Sequence, residues 1–193
     1  MTYQEIKSLF EELGHVFFDK GAYNLNLFGI RNGYKAVDEF NDVLGVAYRD
    51  EQGNEVIIEH KGTTLPGLWW LKNRMGNVNG TFILAPGQYR DCWTVGKHKG
   101  YEALVQAGSP FKGWRDNDQD GQLDPDGRLY TDVTGMNMHT TSWLKEVDKI
   151  GAYSAGCQVR QSTDAHELVM NLCNRSKEIY GNSFSYTLIE KRC

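Results

Sequence analysis

The spacing of hydrophobic positions changes several times along the chain, and each change marks a predicted element. Ile6, Leu9, Phe10 and Leu13 recur at helical spacing. Thr2 and Glu5 before them have the T-x-x-E spacing of a capping box, and Gly14 ends the run. This predicts a packing helix within residues 1–20. From Tyr23 the period shortens to two. Tyr23, Leu25, Leu27 and Gly29 predict a strand. Asp42–Tyr48 and Glu55–His60 flank Asp50-Glu51-Gln52-Gly53-Asn54 as the arms of a β-hairpin. Leu65-Pro66-Gly67 reads as a turn, Thr81–Ala85 as a strand stopped by Pro86-Gly87, and Cys92–Val95 and Tyr101–Gln106 as short strands. Residues 108–135 are rich in Gly, Pro, Asp and Asn and read as one long loop, a feature that compact domains reserve mostly for function or flexibility. Gly135–His139 and Ala152–Val159 are short apolar-containing segments on either side of Trp143–Ile150. Ser162, Thr163 and Asp164 offer N-caps for a last helix. Its stripe is Ala165, Leu168, Val169, Leu172 and Cys173, and Gly181 stands at its C′ position. Phe184–Ile189 alternates as a final strand. The whole predicts one mainly β domain over residues 1–193, with a helical N-terminal appendage over 1–20 and a second helix late in the C-terminal half.

Composition narrows the function. Of 193 residues, 40% are hydrophobic and 12% aromatic, enough for a bulky core, and 21 glycines suit a fold with many turns. Only short apolar runs occur, so no membrane-spanning helix is expected. Met1-Thr2-Tyr3-Gln4-Glu5 has neither a basic start nor an apolar stretch, so no signal peptide is expected. A net charge of −4 argues against a nucleic-acid partner, which would call for a basic stripe. Cys92, Cys157, Cys173 and Cys193 show no C-x-x-C spacing, which leaves a zinc knuckle without support. A domain of this size does not need disulfides, so the cysteines read as mostly reduced, with Cys173 in the core and Cys92 and Cys193 the remaining pairing partners.

The 116–124 stretch reads Asp-Asn-Asp-Gln-Asp-Gly-Gln-Leu-Asp. Asp116, Asp118 and Asp120 stand at positions 1, 3 and 5 of a calcium-loop pattern, Gly121 at 6, Gln122 at 7 and Asp124 at 9. Position 12 falls on Gly127 where a bidentate acid is expected, and Asp126 is one residue out of register. Residues 111–133 carry three positive and six negative side chains, a crowd that needs a counter-ion or strong solvation. Two readings stand: a structural Ca²⁺ site at Asp116, Asp118, Asp120, Gln122 and Asp124, or a solvated turn cluster.

Among the five histidines, His166 reads as a surface residue in the first turn of a helix, His98 as an exposed turn, and His15 and His60 have no motif around them. His139 differs, because it closes the strand-like Gly135–His139 and lies 18 residues before Cys157. Ser154-Ala155-Gly156 in front of Cys157 is a small-residue run that lets the backbone approach a substrate and turn N–H groups toward a developing oxyanion. A nearby imidazole can generate the thiolate that such chemistry needs. A lone Cys/His pair is also compatible with a structural cysteine and an unrelated histidine.

The stretch Asn137-Met138-His139 … Tyr153-Ser154-Ala155-Gly156-Cys157-Gln158-Val159 resembles the L,D-transpeptidase (YkuD-like) catalytic-domain family. In that family a His is followed, at closely similar spacing, by Ser-His-Gly-Cys and a short strand. The variant here is similar to a divergent branch found in phage and phage-derived proteins. Direct resemblance covers roughly residues 135–160. It implies a β-sandwich fold, Cys157 as nucleophile, His139 as base, Thr140 orienting the imidazole through its carbonyl, and Gly156 and Cys157 N–H groups, in the loop that Ser154 opens, as oxyanion donors. Ala155 replaces the family's second His, and Gln158-Val159 replaces a pair whose Arg or Asn helps to bind a substrate carboxylate. Arg160 and Arg115 are the candidates for that role.

The implied activity is cysteine-dependent acyl transfer on peptidoglycan stem peptides, with no cofactor required for catalysis. Hydrolysis, as an L,D-carboxypeptidase or endopeptidase, is favoured over transpeptidation or D-amino-acid exchange, since no signal peptide, anchor or wall-binding module is expected. A phage-derived or injected enzyme of this kind would be made in the cytoplasm and act in the periplasm or cell wall. The rival is a non-enzymatic wall-binding or virion structural module on the same fold. The oligomeric state is left open.

Overall fold

The computed structural model describes residues 1–73, 77–125, 127–142 and 146–191. Asp126, Cys193 and the start of the predicted Trp143–Ile150 segment lie outside the described residues. The described residues are mainly β, forming two sheets and three helices.

In chain order the elements are α1 (Tyr3–Glu12), β1 (Asn26–Arg31), β2 (Asp42–Arg49), β3 (Glu55–Thr63), α2 (Leu68–Lys72), β4 (Thr81–Leu84), β5 (Gly87–His98), β6 (Tyr101–Gln106), β7 (Phe111–Asp116), β8 (Tyr130–Val133), β9 (Met138–Thr140), β10 (Gln158–Arg160), α3 (Thr163–Tyr180) and β11 (Phe184–Glu190). The larger sheet closes on itself in the order β1-β11-β5-β6-β9-β10-β3-β2, and β4-β7-β8 form the smaller one. Within the closed sheet, β1–β11 and β9–β10 are parallel and the other pairings antiparallel. The mainly β class expected from the sequence holds; the larger sheet, however, closes as a barrel where the resemblance implies a β-sandwich.

The barrel interior is a cluster that includes Leu27, Leu44, Val46, Trp93, Leu104, Met138 and Tyr186. The helix α3 adds Val169, Met170 and Cys173 to it, and the small sheet adds Phe82, Leu84, Phe111 and Val133. On the outside, α1 lays Tyr3, Ile6 and Phe10 over Phe28, Ile30, Ala47 and Ile189. Covered on both faces, β1 is buried at every position. The capping box of Thr2 and Glu5 is made, and Ser162 caps α3 by accepting from the Ala165 N–H. No helix among the described residues is long and apolar enough to cross a membrane.

Three sequence expectations are corrected. The 108–135 stretch is not one loop, because it carries β7 and β8. Gly113 breaks the apolar alternation of β7 because a Cβ there would strike first the Ile83 backbone carbonyl oxygen and then the Phe82 ring. The stripe of α3 is rotated. Its buried side is Ala165, His166, Val169, Met170 and Cys173, while Leu168 is exposed. His166 is therefore fully buried, not a surface residue, and its Nε2 lies 2.9 Å from the Glu102 carbonyl oxygen. The β2–β3 hairpin and the β4, β6 and β11 strands stand where the alternation predicts them.

Candidate active site

The parallel pair β9–β10 brings the two halves of the motif together. His139 is in register with Val159, two residues beyond Cys157, so the cysteine stands at the entry of the strand beside the histidine. Gln158 and Met138, the neighbouring pair in register, belong to the barrel interior. Val159 packs with Phe40 and Ile150 on another cluster, to which Cys157 and Tyr153 also contribute.

The Ser154–Cys157 loop is held by its own hydrogen bonds. Ser154 Oγ accepts from the Gly156 N–H at 3.1 Å and donates to the Cys157 carbonyl at 2.8 Å. The Gly67 N–H donates to the Ser154 carbonyl at 2.9 Å. Gly156 has φ +124°, and a Cβ there would meet the Phe82 carbonyl oxygen at 2.6 Å, so this position requires glycine. The Gly156 N–H is thereby engaged within the loop. This corrects the expectation that it stands free as an oxyanion donor. Gln158 locks the other side: its Nε2 donates to the Gly156 carbonyl at 3.2 Å, and its Oε1 accepts from the Tyr186 hydroxyl at 2.8 Å.

His139 is buried, and its Nδ1 lies 2.7 Å from the Thr140 carbonyl oxygen, as the resemblance implies. A carbonyl only accepts, so Nδ1 carries the proton and Nε2 keeps its lone pair. That Nε2 is buried and has no hydrogen-bond partner among the described residues. Burial first, opposed by the Thr140 carbonyl, holds the ring's pKa down to about 3, so the imidazole is neutral at rest. His98, which ends β5, stacks on it with centroids 4.4 Å apart. Asn137 steadies His98: its Oδ1 accepts from the Gln106 N–H at 2.9 Å, which turns its Nδ2 toward His98 Nδ1 at 3.1 Å. His98 is thus not the exposed turn residue that its Lys-rich surroundings suggested. The tight Lys99-Gly100 turn, with φ of +49° and +90°, is what returns the chain and leaves His98 inside the site.

Cys157 is half-buried and reduced. Its Sγ lies 3.9 Å from the Gly135 carbonyl oxygen, and no hydrogen bond joins it to His139 in this state. Burial pushes the thiol pKa up, against a lowering effect of the Asn137 backbone N–H. The resting pair is therefore neutral thiol and neutral imidazole. A small cavity opens beside His139, lined by His98, Tyr101, Glu102, Thr140, Thr141 and Tyr153 among others.

The two arginine candidates are placed elsewhere. Arg160 is fully buried, with burial lowering its pKa to about 10, so it presents no guanidinium to a substrate at the surface. Arg115 is half-buried; it donates to the Gly80 carbonyl at 2.9 Å and lies over the Phe82 and Tyr130 rings. In the acidic loop, Asp116, Asp118 and Asp124 each bring a carboxylate oxygen within 4.8 Å of the others. Asp120 instead accepts from the Gln122 N–H at 2.7 Å and from its Nε2 at 2.8 Å, so these two expected ligands bond to each other.

Set against family models, curated proteins and solved structures, the chain matches none.

Proposed function

We propose that the protein is a cysteine acyl-transfer enzyme of the L,D-transpeptidase type, acting on peptidoglycan stem peptides and favouring hydrolysis. One observation carries the reading: the Thr140 carbonyl fixes the His139 tautomer that leaves Nε2 as a base with no partner among the described residues, on the strand parallel to the one that follows Cys157. The finer fold assignment to that family belongs to the same proposal, and the parallel strand pair with a glycine-requiring turn before the cysteine supports it.

In this mechanism the proton leaves Sγ for His139 Nε2 as the sulfur attacks the stem-peptide carbonyl. The Cys157 N–H is the remaining backbone candidate to face the oxyanion, since Ser154 occupies that of Gly156. The imidazolium then protonates the departing amine, and water, deprotonated by the same Nε2, releases the thioester as a carboxylic acid. A neutral resting pair makes His139 a general base during attack, in place of a preformed thiolate–imidazolium pair. The rival, a non-enzymatic wall-binding or virion module, draws support from the raised thiol and the missing Cys157–His139 hydrogen bond.

Digestion of purified peptidoglycan, read by mass spectrometry, separates these readings. The proposal expects shortened stem peptides from the wild type and none from Cys157→Ala. Sedimentation with peptidoglycan and no change in its composition would favour the binding module. New cross-links or exchanged D-amino acids would move the reading to transpeptidation.

A further inference from the structure

We propose that the loop after β7 binds a divalent cation of the calcium type through Asp116, Asp118 and Asp124. The inference is independent of the reaction at Cys157. Three acidic side chains near one another do not make a site, and the weight here falls on Asp116. It ends β7 with only 5% of its surface exposed. Its Oδ2 accepts from the Asp124 N–H at 3.2 Å, while Oδ1 is buried with no hydrogen-bond partner among the described residues. A carboxylate oxygen taken out of water without a partner is costly, and a native fold rarely leaves one so. The missing partner must be a donor or a cation. The carboxylates of Asp118 and Asp124 converge on the same place, with the three ligand atoms all within 4.8 Å of one another, which selects a cation.

The donor set gives its class. All three ligands are hard carboxylate oxygens, with no sulfur or imidazole, which suits Ca²⁺ or Mg²⁺ and not Zn²⁺ or Cu²⁺. Mg²⁺ demands a near-ideal octahedron and gives up water reluctantly, whereas three loop carboxylates at uneven spacing suit the irregular shell of Ca²⁺. The ligand set departs from the one the sequence spacing suggests, because Asp120 is turned to Gln122. Three carboxylates without a bidentate acid at Gly127 fit the weak, extracellular end of the Ca²⁺ affinity range, roughly 0.1–1 mM.

Such an ion would fasten more than the loop. Asp116 is in register with Thr81 on β4, and the carbonyl of the next residue, Phe82, is the atom that a Cβ on Gly156 would strike. The cation site and the cysteine loop thus share the small sheet as a floor.

The test uses the full chain after EDTA treatment and dialysis. Tb³⁺ is titrated with tryptophan excitation, since Trp70 lines the same cleft as Asp116, and Ca²⁺ is then added as competitor. The expected result is a saturable emission that Ca²⁺ displaces. Melting temperature should also rise by roughly 5–10 °C when Ca²⁺ is about 100-fold above its Kd. Asp118→Asn, at an exposed position, should keep the fold by circular dichroism and weaken both effects by tenfold or more in ion concentration. Asp116→Asn should abolish them, with its fold checked in the same way. Superimposable melting curves in EDTA and Ca²⁺ with no displaceable emission would overturn the proposal. So would an undiminished response in Asp118→Asn, which would place the ion elsewhere.

Discussion

The imidazoles of His98 and His139 lie face to face, with centroids 4.4 Å apart and planes 18° from parallel. The stack closes one side of the His139 ring against water, and burial is the main cause of its low pKa. His98, itself held below the ordinary imidazole range by burial, adds a smaller lowering effect of its own. Replacing His98 by Ala should therefore raise the His139 pKa from about 3 toward the ordinary range. An NMR titration of the histidine ring protons reads this directly. A His139 pKa that stays put would show that the stack contributes nothing to it.

Thiol reactivity should rank by enclosure. Cys173 is fully buried, with its pKa pushed up to about 12, and burial raises Cys92 even further. Cys157 is raised too, yet is half-buried. Iodoacetamide should label Cys157 well before Cys92 or Cys173 in the native protein. The labelling rate should climb with pH through and beyond the ordinary thiol range, with no plateau at neutral pH. Peptide mapping by mass spectrometry gives the order. A neutral-pH plateau would mean a thiolate–imidazolium pair at rest and would rule out the neutral pair described above.

How much of this was legible in the sequence depended on whether a residue's environment is local. The capping box and the β2–β3 hairpin are local patterns, and they stand where the spacing and alternation place them; the His139–Cys157 spacing is local too, and the structure sets the two residues at neighbouring parallel strands with no hydrogen bond between them. The partners that long-range packing brings in were not legible. His98 sits in a Lys-rich segment that reads as surface, and only the pairing of β6 with β9 carries it to His139. His166 did leave a signal, since 166, 169, 170 and 173 fall at helical spacing, but a stripe drawn through Leu168 and Leu172 looked more hydrophobic. Arg160 reads as a candidate for a substrate carboxylate, yet it is fully buried, because it falls two residues after Gln158 on β10 and so shares the inward face of that strand while Val159 takes the other. The acidic loop was half legible: the spacing found Asp116, Asp118 and Asp124, and could not show that Asp120 would turn to Gln122.

Gly156→Ala tests the loop before the cysteine. The position has φ +124°, which L side chains rarely adopt, and an added Cβ meets the Phe82 backbone carbonyl at 2.6 Å and the Met136 Cε at 2.9 Å. The backbone carbonyl cannot swing aside as a side-chain tip would. The variant should lose about 2 kcal/mol of stability from backbone strain alone. It should lose proportionately more activity, because the Ser154–Gly156–Cys157 hydrogen bonds shift with it. Urea unfolding and peptidoglycan digestion, run side by side, separate the two losses. Wild-type stability in the variant would mean that the loop relaxes without cost.

The pH dependence of stability should carry the mark of buried neutral histidines. His166 is fully buried on α3, and burial holds its folded pKa at about 4, with a further lowering from Arg160. The unfolded chain has an ordinary imidazole, near 6.5. Between those values the unfolded chain binds a proton that the folded one refuses, so stability falls as pH drops from about 6.5 to about 4 and levels off below. From His166 alone the loss amounts to up to about 3 kcal/mol, and His139 adds to it in the same direction. Asp116 opposes both over part of this window, because burial raises its pKa to about 6 and the fold there takes up a proton. The comparison to make is therefore between proteins that share Asp116. His166→Gln removes one titrating ring and should flatten the slope between pH 6.5 and 4 relative to wild type, whatever it does to stability at pH 7. Urea unfolding at half-unit pH steps measures both curves. Parallel curves would mean that His166 is protonated in the folded state and that its burial is tolerated by a counter-charge.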